Sequence, residues 1–162
     1  MQTRKTVWQV RKSLRSDKHE VLKAWIAAIL WLIVIAIEST SYLSSANTSR
    51  FLYPALHFLF GLDHPSFEVW HHYIRKAGHV FGYGLLCILL FRAWRSTVRT
   101  PGGPSWTVHW ASIATLGTLV VASFDEWHQT FLPSRTGRWQ DVVLDTSAGI
   151  AAQVLLFLSA RR

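Results

Sequence analysis

Four long apolar stretches recur along the chain, and each is long enough to cross a membrane as a helix. They run approximately over residues 25–42, 75–94, 106–129 and 141–160. Since a helix rises about 1.5 Å per residue, roughly 20 apolar residues cross the ~30 Å hydrocarbon core of a bilayer. The stretches lack the two-residue alternation of barrel strands. The pattern therefore predicts an all-α membrane protein, a bundle of four transmembrane helices that forms a single domain over residues 1–162.

The polar segments on either side of the first span predict additional helices. Residues 1–23 are basic, with apolar residues near helical spacing, which is typical of an amphipathic segment on the inner membrane surface; a solvated, frayed arm is an equal alternative. The first outer loop is long and rich in aromatic residues. Its first half is expected to form a helix in the outer membrane interface, and its second half to extend the second span from near Pro65.

A removable signal peptide is an alternative interpretation of the N-terminal residues, because a basic region leads into an apolar one and "LSSA" resembles a cleavage site. The apolar run is long for a signal, however, and it contains Glu38, which a removed segment would not need. We therefore expect this run to remain as the first transmembrane helix.

Composition and charge agree with this topology. Hydrophobic residues make up 50% of the chain and charged residues 16%, and the formal net charge is +8. The predicted cytoplasmic side holds Arg4, Lys5, Arg11, Lys12, Arg15, Lys18, Lys23, Arg92, Arg95, Arg99, Arg161 and Arg162, and the outer side holds Arg50, Arg75, Lys76, Arg135 and Arg138. This asymmetry predicts that both termini are cytoplasmic. We therefore attribute the positive net charge to basic residues that set the orientation in the membrane and contact anionic lipid. Nucleic acid is not an expected partner. The single cysteine, Cys87, excludes an intramolecular disulfide and is expected to be a small apolar filler.

Polar and ionisable residues from all four spans fall at the same predicted depth near the outer surface. They are Glu38 in the first span, Lys76, His79 and Tyr83 in the second, Asp125, Glu126 and Gln129 in the third, Arg135 in the short loop, and Asp141 and Asp145 in the fourth. Residues four apart share a helix face, so each helix can present its own members together. A charge at the bilayer centre costs roughly 2.5–3.5 kcal/mol, so such groups turn inward and find partners. We therefore predict one polar pocket that opens outward.

Two motifs in this region resemble a known family. "RKAGHVFGYGLL" and, about forty residues later, "DEWHQTFLPSRTGRWQDVVLDTSAG" are similar to the VanZ-like membrane proteins in order, in spacing and in the loop arginine. The resemblance covers the last three spans. It departs at Gly82, where many members carry an acid before the tyrosine, and substrate or activity is expected to differ if that acid matters. The family implies a protein of the bacterial inner membrane and cell envelope, and it is named for a component linked to teicoplanin resistance. It implies a site made of Lys76, His79, Tyr83, Asp125, Glu126, Gln129, Arg135, Asp141 and Asp145.

The chemistry of these residues suggests individual roles. Lys76 and Arg135 are expected to hold a phosphate or carboxylate. His79 is expected to act as general acid or base, oriented by Asp125 or Glu126. Tyr83 and Gln129 would supply neutral hydrogen bonds, while Asp141, Asp145 and Glu38 complete the predicted binding residues.

Structural roles remain open beside these functional ones. Asp141 could cap the fourth span. Arg135 could only neutralise Asp125 or Asp141, and Glu38 could pair with Lys76. Tyr83 could serve aromatic packing. Four loop histidines are expected to be solvated: His57, His64, His71 and His72.

The resulting hypothesis is a membrane protein that binds or modifies an anionic, lipid-linked envelope molecule at the outer face, with a link to glycopeptide resistance. Membrane lipids, a lipid-linked precursor and a glycopeptide are the expected partners. No cofactor is predicted, although the clustered carboxylates and histidine suit a divalent cation. The main alternative is a non-catalytic scaffold or partner-binding module whose polar cluster holds the helices together. A transporter is a weaker alternative, because the inner halves of the spans offer Ser112, Thr115, Thr118 and Gln153 rather than titratable groups. Enzyme activity and oligomeric state stay open.

Overall fold

Helices make up nearly all of the protein. A computed structural model describes residues 7–98 and 105–161, with side chains described for residues 17–98 and 105–161. The helices are α1 (Val7–Ser39), α2 (Ser45–Phe60), α3 (His64–Thr97), α4 (Val108–Gln129) and α5 (Trp139–Ala160), with a 3-10 turn at Ser41–Leu43. These ranges contain no strand. Four helices, α1, α3, α4 and α5, are long and apolar enough to cross a membrane, which confirms the predicted all-α four-helix class.

The boundaries of α1 differ from those predicted. The helix ends at Ser39, before the expected end near residue 42, and residues 41–43 form the 3-10 turn. Ser and Thr side chains compete for backbone groups at helix ends, and the Thr40 hydroxyl donates to the Ile37 carbonyl at 2.7 Å. No break separates a surface segment from the span near residue 23, because one helix runs from Val7. Residues 1–6 of the expected surface segment lie outside the described residues.

The second span is longer than its apolar stretch, as the sequence predicts. Asp63 caps α3, since its carboxylate accepts a hydrogen bond from the Ser66 amide at 3.2 Å, and Pro65 lies in the first turn. Hydrogen bonding by Ser66, first through its side chain and then through its amide, lowers the pKa of Asp63. At 34 residues α3 is about 51 Å long, more than the hydrocarbon core requires. Its N-terminal part is therefore available to pack with other elements beyond the bundle.

The helix α2 folds back onto this extension of α3. It ends at Phe60 and is capped by Gly61, whose φ of 65° allows the chain to reverse. Tyr53 packs edge-on against Phe67 with ring centroids 5.1 Å apart, and Phe67 is fully buried. The opposite side of α2 exposes Phe51, Phe58 and other large apolar residues. Such a surface favours the predicted position in the membrane interface, which stays a prediction.

The helix α3 lies at the centre of the bundle, in contact with α1, α4 and α5, and its interface with α5 is the most extensive. Small residues allow this closeness. A Cβ added at Gly149 would lie 3.3 Å from both the Cβ of Cys87 and the Cγ2 of Thr118. Ala148 and Ala152 are also buried beside it. Because lipid offers no hydrophobic gain to helix association, such close backbone packing holds membrane bundles together.

We expect the packing at Gly149 to be a main source of bundle stability. Gly149→Val should overfill the contact of α5 with Cys87 and Thr118 and lower the free energy of unfolding by about 1–3 kcal/mol. The measurement is thermal unfolding of the purified protein in detergent. Gly78→Val is the matched control, since no atom lies within 4 Å of a Cβ added at that position. An equal loss of stability in the two variants would contradict the packing argument.

Candidate functional site

A polar cavity of about 290 Å³ lies at the end of the bundle where α4 ends and α5 begins. The extension of α3 forms one wall, and the loop between α4 and α5 forms another. The lining residues are Ser45, Glu68, His71, His72, Arg75, Lys76, His79, Gln129, Ser134, Arg135, Thr136, Arg138 and Asp141. We call this space the polar cavity.

Cations outnumber acids in the lining of the polar cavity. Four lysine or arginine side chains line it, namely Arg75, Lys76, Arg135 and Arg138, against the acids Glu68 and Asp141. Lys76 forms an ion pair with Asp141, linking α3 to α5. The carboxylate of Asp141 is therefore engaged, and the three arginines remain as the source of positive charge.

Arg75 and Arg135 bind backbone carbonyls instead of acids. Arg75 donates to the Leu43 carbonyl at 3.0 Å, and Arg135 donates to the carbonyls of Thr40, at 2.9 Å, and Glu38. The expected neutralisation of Arg135 by Asp125 or Asp141 is therefore not found among the described side chains. Burial, and then the nearby Arg75, lower the pKa of Arg135. A guanidinium nevertheless stays charged in proteins, so both arginines bring positive charge to the cavity.

Below the polar cavity lies a layer of buried acids and their partners, which we call the acidic layer: His79, Tyr83, Asp125, Glu126, Gln129 and Asp145. Asp145 is 0% exposed, Glu126 4% and Asp125 9%. His79 and Gln129 belong to both regions, because they also line the cavity. The structure thus brings the predicted residues of α3, α4 and α5 to one end of the bundle.

The carboxylate partner of His79 differs from the one expected. The Nδ1 atom of His79 lies 3.2 Å from the Oδ2 of Asp145, whereas Asp125 or Glu126 was predicted as the partner. Asp125 is instead bound by the Tyr83 hydroxyl at 2.6 Å and by the Gln129 amide at 3.1 Å. The reason is geometric: α5 packs closely on α3 and brings Asp145 against His79, while Asp125 lies against Tyr83, one turn further along α3. Tyr83 thus donates a hydrogen bond as well as packing against the His79 ring.

Glu126 is held by the loop that follows α4. Its Oε2 accepts a hydrogen bond from the Arg138 amide at 2.7 Å. Its Oε1 is buried and has no hydrogen-bond partner among the described residues, and the same is true of Asp145 Oδ1. His79, Glu126 and Asp145 each offer a ligand atom within 4.8 Å of the other two. These three residues could therefore hold a metal ion.

Two further alternatives from the sequence are wrong. Asp141 does not cap α5 with its side chain: Arg138 holds the cap position, and Asp141 lies in the first turn with its carboxylate on Lys76. A carboxylate there still suits the helix dipole. Glu38 does not pair with Lys76; it is exposed and borders a groove of about 200 Å³ beside Arg75.

The expectation that all four loop histidines are solvated is wrong for His71. This residue is 3% exposed, stacks on Phe67, and has its Nε2 3.0 Å from the Thr48 hydroxyl. The return of α2 over α3 buries it, and a long-range contact of this kind leaves no local trace in the sequence. His71 is one of the cavity residues that the sequence analysis missed, with Glu68, His72, Arg75 and Arg138. Of these five residues, only Arg75 could have been identified from the sequence, because it precedes Lys76 in the "RK" pair of the first motif.

Gly137 is a further residue that the sequence analysis missed. A Cβ at this position would lie 2.2 Å from the carbonyl oxygen of Glu126 and 2.6 Å from Thr130 Cγ2. Only glycine lets the loop approach the end of α4 so closely. The signal was a glycine between two polar residues in a short connection between spans. Its effect is to bring the Arg138 amide to Glu126.

The fold and this site define the protein as a multi-pass α-helical membrane protein with a polar cavity at one end of its bundle. A family model described as VanZ/LLP1 matches residues 24–160, and the chain belongs to this family. The resemblance found in the two sequence motifs is thereby confirmed, and the match also includes the first span. No curated protein and no solved structure gives a significant match.

Gly82, where the chain departs from the family pattern, lies next to open space. No atom lies within 4 Å of a Cβ added there, and a void of about 20 Å³ is lined by Gly82, Tyr83 and Asp125 among others. A void of this size holds about one water molecule. The Gly82 carbonyl accepts a hydrogen bond from the Trp31 indole at 2.8 Å. The absence of a side chain at position 82 thus leaves room beside the acidic layer.

We expect Gly137→Ala to displace the loop from α4. The added methyl group would clash with the Glu126 carbonyl, and the Arg138 amide would move away from the Glu126 carboxylate. Overfilling a packed site costs about 1–3 kcal/mol, and an unbonded buried carboxylate oxygen adds to this. Thermal unfolding measures the loss. Ser134→Ala, at an exposed position of the same loop, should change little. Equal stability of Gly137→Ala and wild type would show that the loop tolerates the shift.

Proposed function

We propose that the protein binds or modifies an anionic lipid-linked molecule of the bacterial cell envelope in the polar cavity. The observation that carries this proposal is the set of four cationic side chains around one cavity at the end of a membrane bundle. Within the described part of the chain, only Lys76 among them is paired with an acid. A cavity with surplus positive charge favours phosphate or carboxylate ligands.

The arginines of the cavity are suited to a phosphate group. A guanidinium presents N–H donors in a planar fork that matches phosphate oxygens. Bonds to backbone carbonyls hold Arg75 and Arg135 in place before a ligand arrives, which lowers the entropic cost of binding. Arg135 Nε is buried and lacks a hydrogen-bond partner among the described residues. This donor supports the proposal because an anionic ligand would supply the missing acceptor.

The position of the cavity supports a ligand that is anchored in lipid. The groove beside Glu38 shares Arg75, His79 and Arg135 with the polar cavity and is also lined by Leu43 and Gly78. A head group in the cavity could therefore continue into a chain that leaves along the groove toward the bilayer. The role of His79 in proton transfer stays a prediction, now with Asp145 as its carboxylate partner. A contribution to glycopeptide resistance is proposed from family resemblance alone.

A scaffold function is the second candidate, and specific contacts favour it. The Tyr83–Asp125 hydrogen bond joins α3 to α4, and the Lys76–Asp141 ion pair joins α3 to α5. Polar contacts between helices stabilise membrane bundles by about 1–2 kcal/mol in model peptides. In that case the polar residues would serve folding, and no ligand would be needed.

The proposal includes an outward-facing cavity in the inner membrane, with cytoplasmic termini, and cysteine labelling tests this orientation. Ser134→Cys lies in the loop between α4 and α5. It should react with a membrane-impermeant maleimide in cells whose outer envelope has been made permeable to the reagent and whose inner membrane is intact. Ser105→Cys, before α4, should react only after the inner membrane is opened. Both positions are exposed, and the native Cys87 is 0% exposed, so wild-type protein is the control. The reverse labelling pattern would put the cavity on the cytoplasmic side.

Ligand binding is tested by native mass spectrometry of the purified protein with a polyprenyl phosphate. Wild type should retain the phosphate and not the uncharged polyprenol of the same length. Arg138→Gln should weaken retention by about tenfold or more, because a hydrogen bond to a charged group contributes about 1.5–3 kcal/mol. This variant removes cavity charge while the Arg138 amide still binds Glu126. Arg135→Gln should have a larger effect.

The control for these variants is Arg50→Gln. Arg50 lies on α2 and is exposed but does not line the cavity, so its loss should leave retention unchanged. Equal retention of phosphate and alcohol by wild type would overturn the binding proposal. Cavity variants that lower thermal stability without changing retention would favour the scaffold.

A further inference from the structure

Two buried carboxylate oxygens in the acidic layer lack a hydrogen-bond partner among the described residues. They are Glu126 Oε1 and Asp145 Oδ1, from side chains of residues that are 4% and 0% exposed. A buried polar atom without a partner loses its hydration and gains nothing in return. Two such atoms in neighbouring residues indicate that something outside the polypeptide completes the site.

From this we propose that His79, Glu126 and Asp145 bind one divalent transition-metal ion at the floor of the polar cavity. Their ligand atoms all lie within 4.8 Å of one another. The His79 Nδ1 and Asp145 Oδ2 atoms are 3.2 Å apart. An ion with ligands at roughly 2.1 Å places adjacent ligand atoms roughly 3.0–3.4 Å apart in octahedral or tetrahedral geometry. The separation of these two atoms therefore fits one edge of such a coordination sphere, in which the ion would replace the hydrogen bond between them.

The balance of buried charge points the same way. Three acids of the layer, Asp125, Glu126 and Asp145, have no lysine or arginine partner among the described side chains. Lys76 is taken by Asp141, and the nearest arginines bind backbone carbonyls. Asp125 is satisfied by the neutral donors of Tyr83 and Gln129. Asp145 faces the His79 imidazole and Glu126 accepts one backbone hydrogen bond, so a dication would offset the charge of these two acids in a region from which water is largely excluded.

The surroundings of the proposed ligands fix their orientation. The Arg138 amide holds Glu126 through Oε2 and leaves Oε1 for the ion. The His79 ring stacks on Tyr83 with centroids 6.1 Å apart and planes inclined by 18°. Groups that orient metal ligands in this way typically change metal affinity by 10–100-fold when they are removed.

The donor set selects the class of metal. Imidazole nitrogen suits transition metals, while two carboxylates suit harder ions, so one nitrogen with two carboxylates fits Mn²⁺ or Zn²⁺ better than Mg²⁺ or Ca²⁺. Three protein ligands leave coordination positions open, as in catalytic metal sites. Because His79 also lines the polar cavity, a ligand there would have access to the ion. With the metal bound, His79 would serve as a ligand rather than as a proton carrier.

The test is metal binding by the full-length protein in detergent after treatment with a chelator. Mn²⁺ binding is followed by electron paramagnetic resonance, and Zn²⁺ by elemental analysis after gel filtration. Wild type should bind one ion per chain, with Mg²⁺ at equal concentration failing to displace it. Glu126→Gln and Asp145→Asn should each weaken binding by more than tenfold. Glu68→Gln is the matched control, because this acid lines the same cavity outside the three-residue cluster.

Thermal unfolding separates loss of the site from loss of the fold. The midpoint for wild type should rise with Mn²⁺ concentration, since a ligand that binds only the native state stabilises it. Asp145→Asn should unfold near the midpoint of metal-free wild type and show no rise with Mn²⁺. If Asp145→Asn fails to fold, Glu126→Gln decides by the same comparison. Wild type that binds neither ion above a detergent blank, or equal weakening by Glu68→Gln, would overturn the proposal. No lipid is present in this assay, so its outcome is independent of the phosphate-binding proposal.

Discussion

The close approach of α5 to α3 is the constraint on which the rest of the structure depends. Gly149 lets the two backbones meet beside Cys87, and the polar residues nearer the end of the bundle follow from that contact. Helical spacing then brings Asp145 to His79 and Asp141 to Lys76. A larger residue at position 149 would separate both pairs together. Packing deep in the apolar part of the bundle thus determines the geometry of the polar end, and the two cannot vary independently.

The charges at the polar end are separated into two layers, and the separation is maintained by backbone groups. Arg75 and Arg135 bind carbonyls where α1 ends and the chain turns toward α2, which keeps their guanidinium groups at the level of the cavity. Asp125, Glu126 and Asp145 lie below them, and Tyr83 and Gln129 donate hydrogen bonds to Asp125. If the arginines formed ion pairs with these acids, the positive and negative charges would neutralise each other within the protein. Because they stay apart, cationic side chains line the cavity and buried acids lie beneath it.

Much of this fold could be predicted from the sequence, and the reasons differ for each part. Apolar runs of the right length identify the four spans, and i, i+4 spacing places Gln129 beside Asp125 on α4, where the two side chains form a hydrogen bond. The partner of His79 could not be predicted, because it depends on how α4 and α5 are rotated about their axes. Burial of His71 depends on α2 folding back, and the roles of Gly137 and the Arg138 amide depend on a loop conformation. The depth of a polar residue in the membrane follows from the local pattern of apolar and polar residues. The partner of its side chain follows from tertiary packing.

Hydrogen-bond satisfaction divides the polar residues into two groups. Both carboxylate oxygens of Asp125 are engaged, and Lys76 and Asp141 neutralise one another. Such residues are sufficiently explained by holding helices together. Glu126, Asp145 and Arg135 each retain a buried atom without a hydrogen-bond partner among the described residues, and stability alone does not account for them, since each such atom costs free energy. An unpaired carboxylate oxygen is a suitable ligand for a cation, and an unpaired guanidinium nitrogen is a suitable donor to an anion. A scaffold role is enough to explain the first group of residues, and the ligands proposed above would explain the second.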